Sequence, residues 1–168
     1  MITRRTALIS MVATGIGISR AAAFGQSLAA PLAMKGKSAM PLARIDINRN
    51  MPADHVRIIS NAIYGAMTEI ANVPLYDKFQ IITRHDADEI IYPEEGYLGI
   101  AYSPDIIFIQ VTWVSGRSTD VKKQFYRRIA DEIHEKAGVR KEDVWISLVE
   151  SGREDWSFGN GDMQYGPK

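Results

Sequence analysis

Residues 106–138 read IIFIQVTWVSGRSTDVKKQFYRRIADEIHEKAG, and this stretch carries the two periodicities that decide the fold. Large apolar side chains occupy every second position over 106–114, which predicts a β-strand because successive strand side chains face opposite sides. Further on they recur every three or four residues, which predicts a helix with one buried stripe. That stripe is Val121, Phe125, Ile129 and Ile133. Ser118 suits the helix N-cap and Gly138 its C-terminal end. A second strand is predicted over 144–150.

The same order of elements is predicted earlier in the chain. Residues 42–48 alternate as a strand, and Pro52 opens a helical pattern that stops at Asn72 and Pro74. The apolar positions of this helix are Val56, Ile59, Ile63, Met67 and Ile70. A short strand over 79–83 follows. A helix that connects two strands implies that those strands are parallel. We therefore predict an α/β domain of two tandem β-α-β units, with four strands in one sheet and two helices on one face. The other face is expected to be buried in a homo-oligomer.

Charge and composition exclude several classes of function. The chain has 168 residues, 20 basic, 20 acidic and no cysteine. Residues 1–40 hold five of the basic residues and no acidic one, so the remainder has 20 − 5 = 15 basic against 20 acidic residues, a net −5. That sign disfavours nucleic-acid binding. The missing cysteines exclude disulfides and thiolate chemistry. The three histidines, His55, His85 and His134, lack metal-site spacing, so neither a metal nor a cofactor is expected.

The first forty residues have the composition of an export leader. Arg4 and Arg5 precede an apolar run over 7–18, and small residues follow. We predict a twin-arginine-like signal peptide over 1–23, a flexible connector over 24–40 and a folded domain over 41–168. The run is too short for a stable membrane anchor. This predicts a periplasmic or secreted protein. The alternatives are an extension without a targeting role, or translation from Met40 and a cytoplasmic location.

Four segments, in this order and spacing, carry a resemblance to a known family. They are residues 40–46 (MPLARID), 73–80 (VPLYDKFQ), 115–118 (SGRS) and 154–161 (EDWSFGNG). Together they resemble the tautomerase superfamily, in particular its longer group that includes malonate semialdehyde decarboxylase. The resemblance spans residues 41–168. It implies a homotrimer of double β-α-β protomers that works without a cofactor on a small carboxylate-bearing substrate.

The resemblance also implies the site residues. The family's amino-terminal catalytic proline matches Pro41, its acidic residue matches Asp77, and its carboxylate-binding arginine matches Arg117. Trp156 and Phe158 would form an apolar wall that lowers the pKa of the prolyl amine by desolvation. A prolyl nitrogen is a base only when it is terminal, since within a chain it is an amide with no N–H.

One departure from the family pattern limits what the resemblance implies. The decarboxylase has a second arginine two positions before the first, where this chain has Ser115. We therefore predict enol–keto isomerisation of a small 2-oxo acid, which needs one carboxylate contact and one proton shuttle. Decarboxylase or hydratase activity is a second alternative. If the leader is cut near Ala23 or Ala29, Pro41 stays internal, and the domain would be an exported, non-catalytic binding or assembly module.

Overall fold

The structure, a computed structural model, describes residues 40–166. The predicted signal peptide and residues 24–39 of the predicted connector lie outside the described residues. The elements, in chain order, are β1 (Leu42–Asn48), α1 (Ala53–Glu69), β2 (Phe79–His85), β3 (Ile107–Val114), α2 (Thr119–Ala137), a 3₁₀ turn (Lys141–Asp143) and β4 (Val144–Ser151). The predicted order is confirmed, and β2 runs two residues further than the sequence pattern indicated.

The four strands form one mixed sheet in the order β2-β1-β3-β4. Each β-α-β unit is parallel within itself, as the crossover helices require, and the two units join through the antiparallel pair of β1 and β3. Ser118 caps α2 by accepting a hydrogen bond from the Val121 backbone N–H, and Gly138 ends it in the left-handed region at φ 68°. Both predicted helix boundaries are confirmed.

The core lies between the two helices and one face of the sheet. Ala43, Ile45 and Ile47 of β1 are buried there, as their alternation predicted. The indole of Trp113 meets the ring of Phe125 at 5.0 Å between centroids, and both side chains are fully buried. Burying one large apolar side chain contributes about 1.5–3 kcal/mol, so this face of the sheet is strongly specified.

The opposite face of the sheet carries no helix and keeps large apolar side chains exposed. Phe79 is 50% exposed, Trp145 41% and Val149 41%. Exposed apolar side chains on one continuous face mark a surface that another molecule covers. Within the described residues no helix is long and apolar enough to cross a membrane.

The sheet topology brings four chain segments to one edge. Leu42, the first residue of β1, pairs with Phe79 at the start of β2 and with Thr112 near the end of β3. Because β4 is parallel to β3, its last residue, Ser151, reaches the same edge. Residues just before β1 and β2 and just after β3 and β4 therefore meet there.

Candidate active site

Met40 and Pro41 enter this edge from β1 and are both buried. The Met40 side chain is 1% exposed and packs with Val114 and Trp156. The Met40 backbone N–H donates a hydrogen bond to Asp77 Oδ2 at 2.6 Å. Its φ of 78° lies in the left-handed region, which costs a side-chain-bearing residue about 1–3 kcal/mol. Burial and the bond to Asp77 hold Met40 in this strained conformation.

Asp77 lies in the turn that leads into β2. Its backbone N–H donates to the Pro74 carbonyl at 3.1 Å, and the side chain is half-buried. Burial raises the pKa of the Asp77 carboxyl, and the hydrogen bond from Met40 opposes that rise. The structure thus places Asp77 beside the segment that precedes β1, where the family resemblance expected it.

The raised pKa of Asp77 predicts a pH dependence of stability in the full chain. The unfolded carboxyl ionises first as pH rises, so Asp77 favours the folded state at low pH and loses that contribution as pH rises through its folded pKa. Relative to that of the Asp77→Asn variant, the unfolding free energy of the wild-type protein is expected to decrease as the pH is raised from below the ordinary carboxyl pKa range to above it. Denaturant unfolding of both proteins over a pH series measures this. An equal slope in both, with Asp88→Asn as the control, would contradict it.

Arg117 lies between β3 and α2 and reaches back across the end of β3. Its Nε donates to the Ala71 carbonyl at 3.1 Å and its Nη1 to the Val114 carbonyl at 2.9 Å. The guanidinium also lies 4.2 Å from the centre of the Trp113 ring. Burial lowers the pKa of Arg117, and the charge of Glu150 opposes this shift. These contacts fix a half-buried cation beside Val114, which itself packs on Met40.

Trp156 and Phe158, the two residues predicted to form an apolar wall, follow β4 and pack against each other. Their rings stack at 5.7 Å with an interplanar angle of 4°, and Phe158 lies 6.0 Å from Phe79. Trp156 packs against the cluster of Met40 and Val114, whereas Phe158 is 39% exposed. Trp156 is therefore the inner part of the wall and Phe158 the outer part.

Two residues at this edge, Val114 and Ser151, had no signal as site residues in the sequence, because each reads as an ordinary residue at the end of a strand. Met40 was placed in the connector, and its burial in the domain was not predicted. The Ser151 hydroxyl donates to the Trp113 carbonyl at 3.2 Å and accepts from Trp156 Nε1 at 2.8 Å. Ser151 thus holds the Trp156 indole in place. This role becomes apparent only from the pairing of β4 with β3.

His85 and the charged residues near it in sequence make contacts of their own. His85 Nε2 lies 2.8 Å from Asp46 Oδ1, and Arg49 pairs with Asp86 at 2.5 Å on the surface. Within residues 40–166, no three histidine, aspartate or glutamate side chains come together as a metal site requires. Of the predicted polar site residues, Asp77 bonds to Met40, and Arg117 bonds to the Val114 carbonyl at the same edge of the sheet.

The chain is similar to known proteins in the part that forms this site. A family model described as "Tautomerase enzyme" matches residues 77–159. The Bacillus subtilis (strain 168) protein named probable tautomerase YusQ is 39% identical over 125 residues, which are 74% of this chain and 98% of the relative. Probable tautomerase YrdN of the same organism is 29% identical over 126 residues, 75% of this chain and 96% of the relative.

A solved structure is similar as well. The crystal structure of FG41 malonate semialdehyde decarboxylase inhibited by 3-bromopropiolate is 35% identical with a TM-score of 0.68, and the match covers 74% of this chain and 93% of that one. The fold, an edge site around a strand-opening proline, and these matches define the class of protein. The chain belongs to the tautomerase superfamily.

Proposed function

We propose that this protein is a cofactor-free isomerase that interconverts the enol and keto forms of a small 2-oxo acid, with Pro41 as its acid/base when residue 41 is the amino terminus. The observation that carries the proposal is the hydrogen bond of 2.6 Å from the Met40 N–H to Asp77. It places the residue bonded to the Pro41 nitrogen directly beside a carboxylate. A substrate that reaches a free prolyl amine would meet Asp77 in the same way.

The chemistry follows from the groups at the edge. A terminal amine has a pKa of about 7.7–8.0, and an apolar surrounding such as Trp156 lowers it toward neutrality. In the enol-to-keto direction the amine takes the hydroxyl proton, whose O–H electron pair forms the C=O bond, and the resulting ammonium delivers a proton to C3, where the C=C electron pair forms the new C–H bond. Arg117 holds the substrate carboxylate, and Asp77 orients the enol oxygen or a water molecule. Positioned proton transfer of this kind contributes about 10²- to 10⁴-fold.

The burial of Met40 and Pro41 bears on how the amine is exposed. Because Met40 and Pro41 are both buried, we expect the peptide bond between them to be cut before the domain folds. Translation from Met40, followed by aminopeptidase trimming, meets this condition and gives a cytoplasmic enzyme. A twin-arginine leader carries folded proteins, so export through it would leave Pro41 internal and give the non-catalytic module. We favour the first route for the enzyme.

The uncovered sheet face supports a homotrimer as the working form. Exposed Phe79, Trp145 and Val149 lie on it. Phe79 also contacts Phe158 of the site wall, so a neighbouring subunit on this face would reach the outer rim of the pocket.

Decarboxylation is the second candidate, favoured by the 35% identity to malonate semialdehyde decarboxylase. Ser115 is exposed at the position of that enzyme's additional arginine. Arg117 alone can bind the substrate carboxylate, but the second cationic contact that the decarboxylase has is missing here, which disfavours loss of carbon dioxide.

The two candidates are separated by assaying one preparation for both reactions. A chain that begins at Pro41, verified by intact mass, is expected to exchange C3 hydrogen of 2-oxo acids for deuterium, as followed by proton NMR. Carbon dioxide release from malonate semialdehyde is expected to stay near background and to increase in Ser115→Arg. Release without C3 exchange in the unsubstituted chain would overturn the isomerase proposal in favour of the decarboxylase.

A further inference from the structure

The carbonyl carbon of Met40 is bonded to the Pro41 nitrogen, so Met40 occupies the space next to that nitrogen. In a chain that begins at Pro41, the volume that Met40 leaves lies next to that nitrogen, where an incoming molecule can occupy it. Met40 is 1% exposed and belongs to one apolar cluster with Val114 and Trp156. Removing a buried side chain leaves a cavity because the surroundings relax only partially.

The contacts of Met40 show what this volume accepts. The backbone N–H, a hydrogen-bond donor, lies on Asp77, and the side chain lies on Val114 and Trp156. The methionine side chain is unbranched and flexible, with three rotatable bonds. The site therefore combines a hydrogen-bond acceptor, the Asp77 carboxylate, with the apolar side chains of Val114 and Trp156. Arg117 bonds to the Val114 backbone carbonyl at the same end of β3.

We propose that the space filled by Met40 is a subsite for an unbranched apolar substituent of the substrate, with Val114 and Trp156 as its specificity-determining walls. The proposal rests on the proposed function, since it needs Pro41 to be terminal. It names the substrate class more closely: 2-oxo acids with an unbranched apolar side chain about as long as that of methionine, in preference to the shortest acids. The enol hydroxyl of the substrate donates a hydrogen bond to the Asp77 carboxylate, in place of the Met40 N–H.

The test compares one short acid with two longer unbranched acids, one with an alkyl chain and one with a thioether. The chain that begins at Pro41 is assayed for C3 deuterium exchange with 2-oxobutanoate, 2-oxohexanoate and 4-(methylthio)-2-oxobutanoate. Since one methylene in an apolar pocket changes kcat/KM about 10- to 200-fold, the two longer acids are expected to react at least about tenfold better. Equal kcat/KM for all three, or faster exchange of 2-oxobutanoate, would overturn the subsite.

A matched pair of variants tests whether Val114 causes the preference for the longer acids. Val114→Thr places a hydroxyl in the apolar wall and is expected to reduce the preference for 2-oxohexanoate about 2- to 30-fold. Val139→Thr is the control, because Val139 is equally buried, at 7% exposure, and lines a cleft with Asn48 at the opposite end of β1. A preference unchanged in Val114→Thr, or lowered equally in Val139→Thr, would contradict the assignment of the wall. The length series on the unsubstituted chain decides the proposal if Val114→Thr does not fold.

Calorimetric binding of the same acids separates this inference from the proposed function. Tighter binding of 2-oxohexanoate than of 2-oxobutanoate, without any C3 exchange, would retain the subsite and refute proline catalysis. Exchange without a length preference would refute the subsite alone. Absence of both exchange and binding would overturn both.

Discussion

The full 168-residue chain is expected to isomerise 2-oxo acids at least about 10²-fold, and up to about 10⁴-fold, more slowly than a chain that begins at Pro41. Two features of the structure act together. The Pro41 nitrogen is an amide when residue 40 is attached, so it has neither a basic lone pair nor an N–H. Met40 also occupies the space at the nitrogen and engages Asp77. The measurement is kcat/KM for C3 exchange on two preparations whose amino termini are verified by mass.

A chain with a single glycine before Pro41 separates these two features. It keeps the nitrogen as an amide but lacks the side chain that packs on Val114 and Trp156. We expect it to be as inactive as the full chain while binding 2-oxohexanoate more tightly than the full chain does. Circular dichroism and solution mass of all three preparations show whether fold and assembly are equal. Comparable kcat/KM in the full chain and in the chain that begins at Pro41 would refute proline catalysis.

Replacing Arg117 by alanine is expected to raise KM for a 2-oxo acid and to lower kcat/KM about 10- to 150-fold. The reason is the loss of a charge-assisted hydrogen bond to the substrate carboxylate, worth about 1.5–3 kcal/mol. Because the same contact is made in ground and transition states, the change should appear mostly in KM. Steady-state kinetics on chains that begin at Pro41 measures it.

Arg117 also supports the fold, so its variants need structural controls. The guanidinium donates to the carbonyls of Ala71 and Val114, and alanine leaves both without these partners. Arg117→Lys keeps the charge but lacks the fork of N–H donors, and we expect it to fall between wild type and Arg117→Ala. Arg153→Ala, at an exposed arginine after β4, should leave both kcat and KM unchanged. An unchanged kcat/KM in Arg117→Ala would remove the carboxylate-binding role.

Most of the fold could be predicted because it depends on periodicities that a local stretch carries. Every second residue of β1 and β3 is buried, and α2 begins and ends at the residues whose side chains or backbone allow it. The extension of β2 to His85 had no such signal, since Arg84 and His85 are polar. Arg84 belongs there because its guanidinium donates to the carbonyls of Arg49 and Met51, a long-range contact that no local pattern contains.

The site could be predicted only in part. Pro41, Asp77, Arg117, Trp156 and Phe158 were identified by resemblance to a family, and the structure gathers them at one edge, although their roles stay predictions. Val114 and Ser151 carry no sequence signal because a valine and a serine at strand ends are common. Their importance arises from the pairing of the strands. It places Val114 in contact with Met40, and the Ser151 hydroxyl within hydrogen-bond distance of the Trp156 indole.

The sequence by itself determined the strands, the helices and the parallel pairing within each β-α-β unit, because alternation, helical spacing and crossover handedness are local properties of the chain. Only the tertiary structure decided that β1 and β3 are antiparallel neighbours, which brings the starts of β1 and β2 to the ends of β3 and β4. It also decided that Met40, which reads as connector, is buried beside Asp77. Burial depends on residues distant in sequence that close around a side chain, and no local pattern records them.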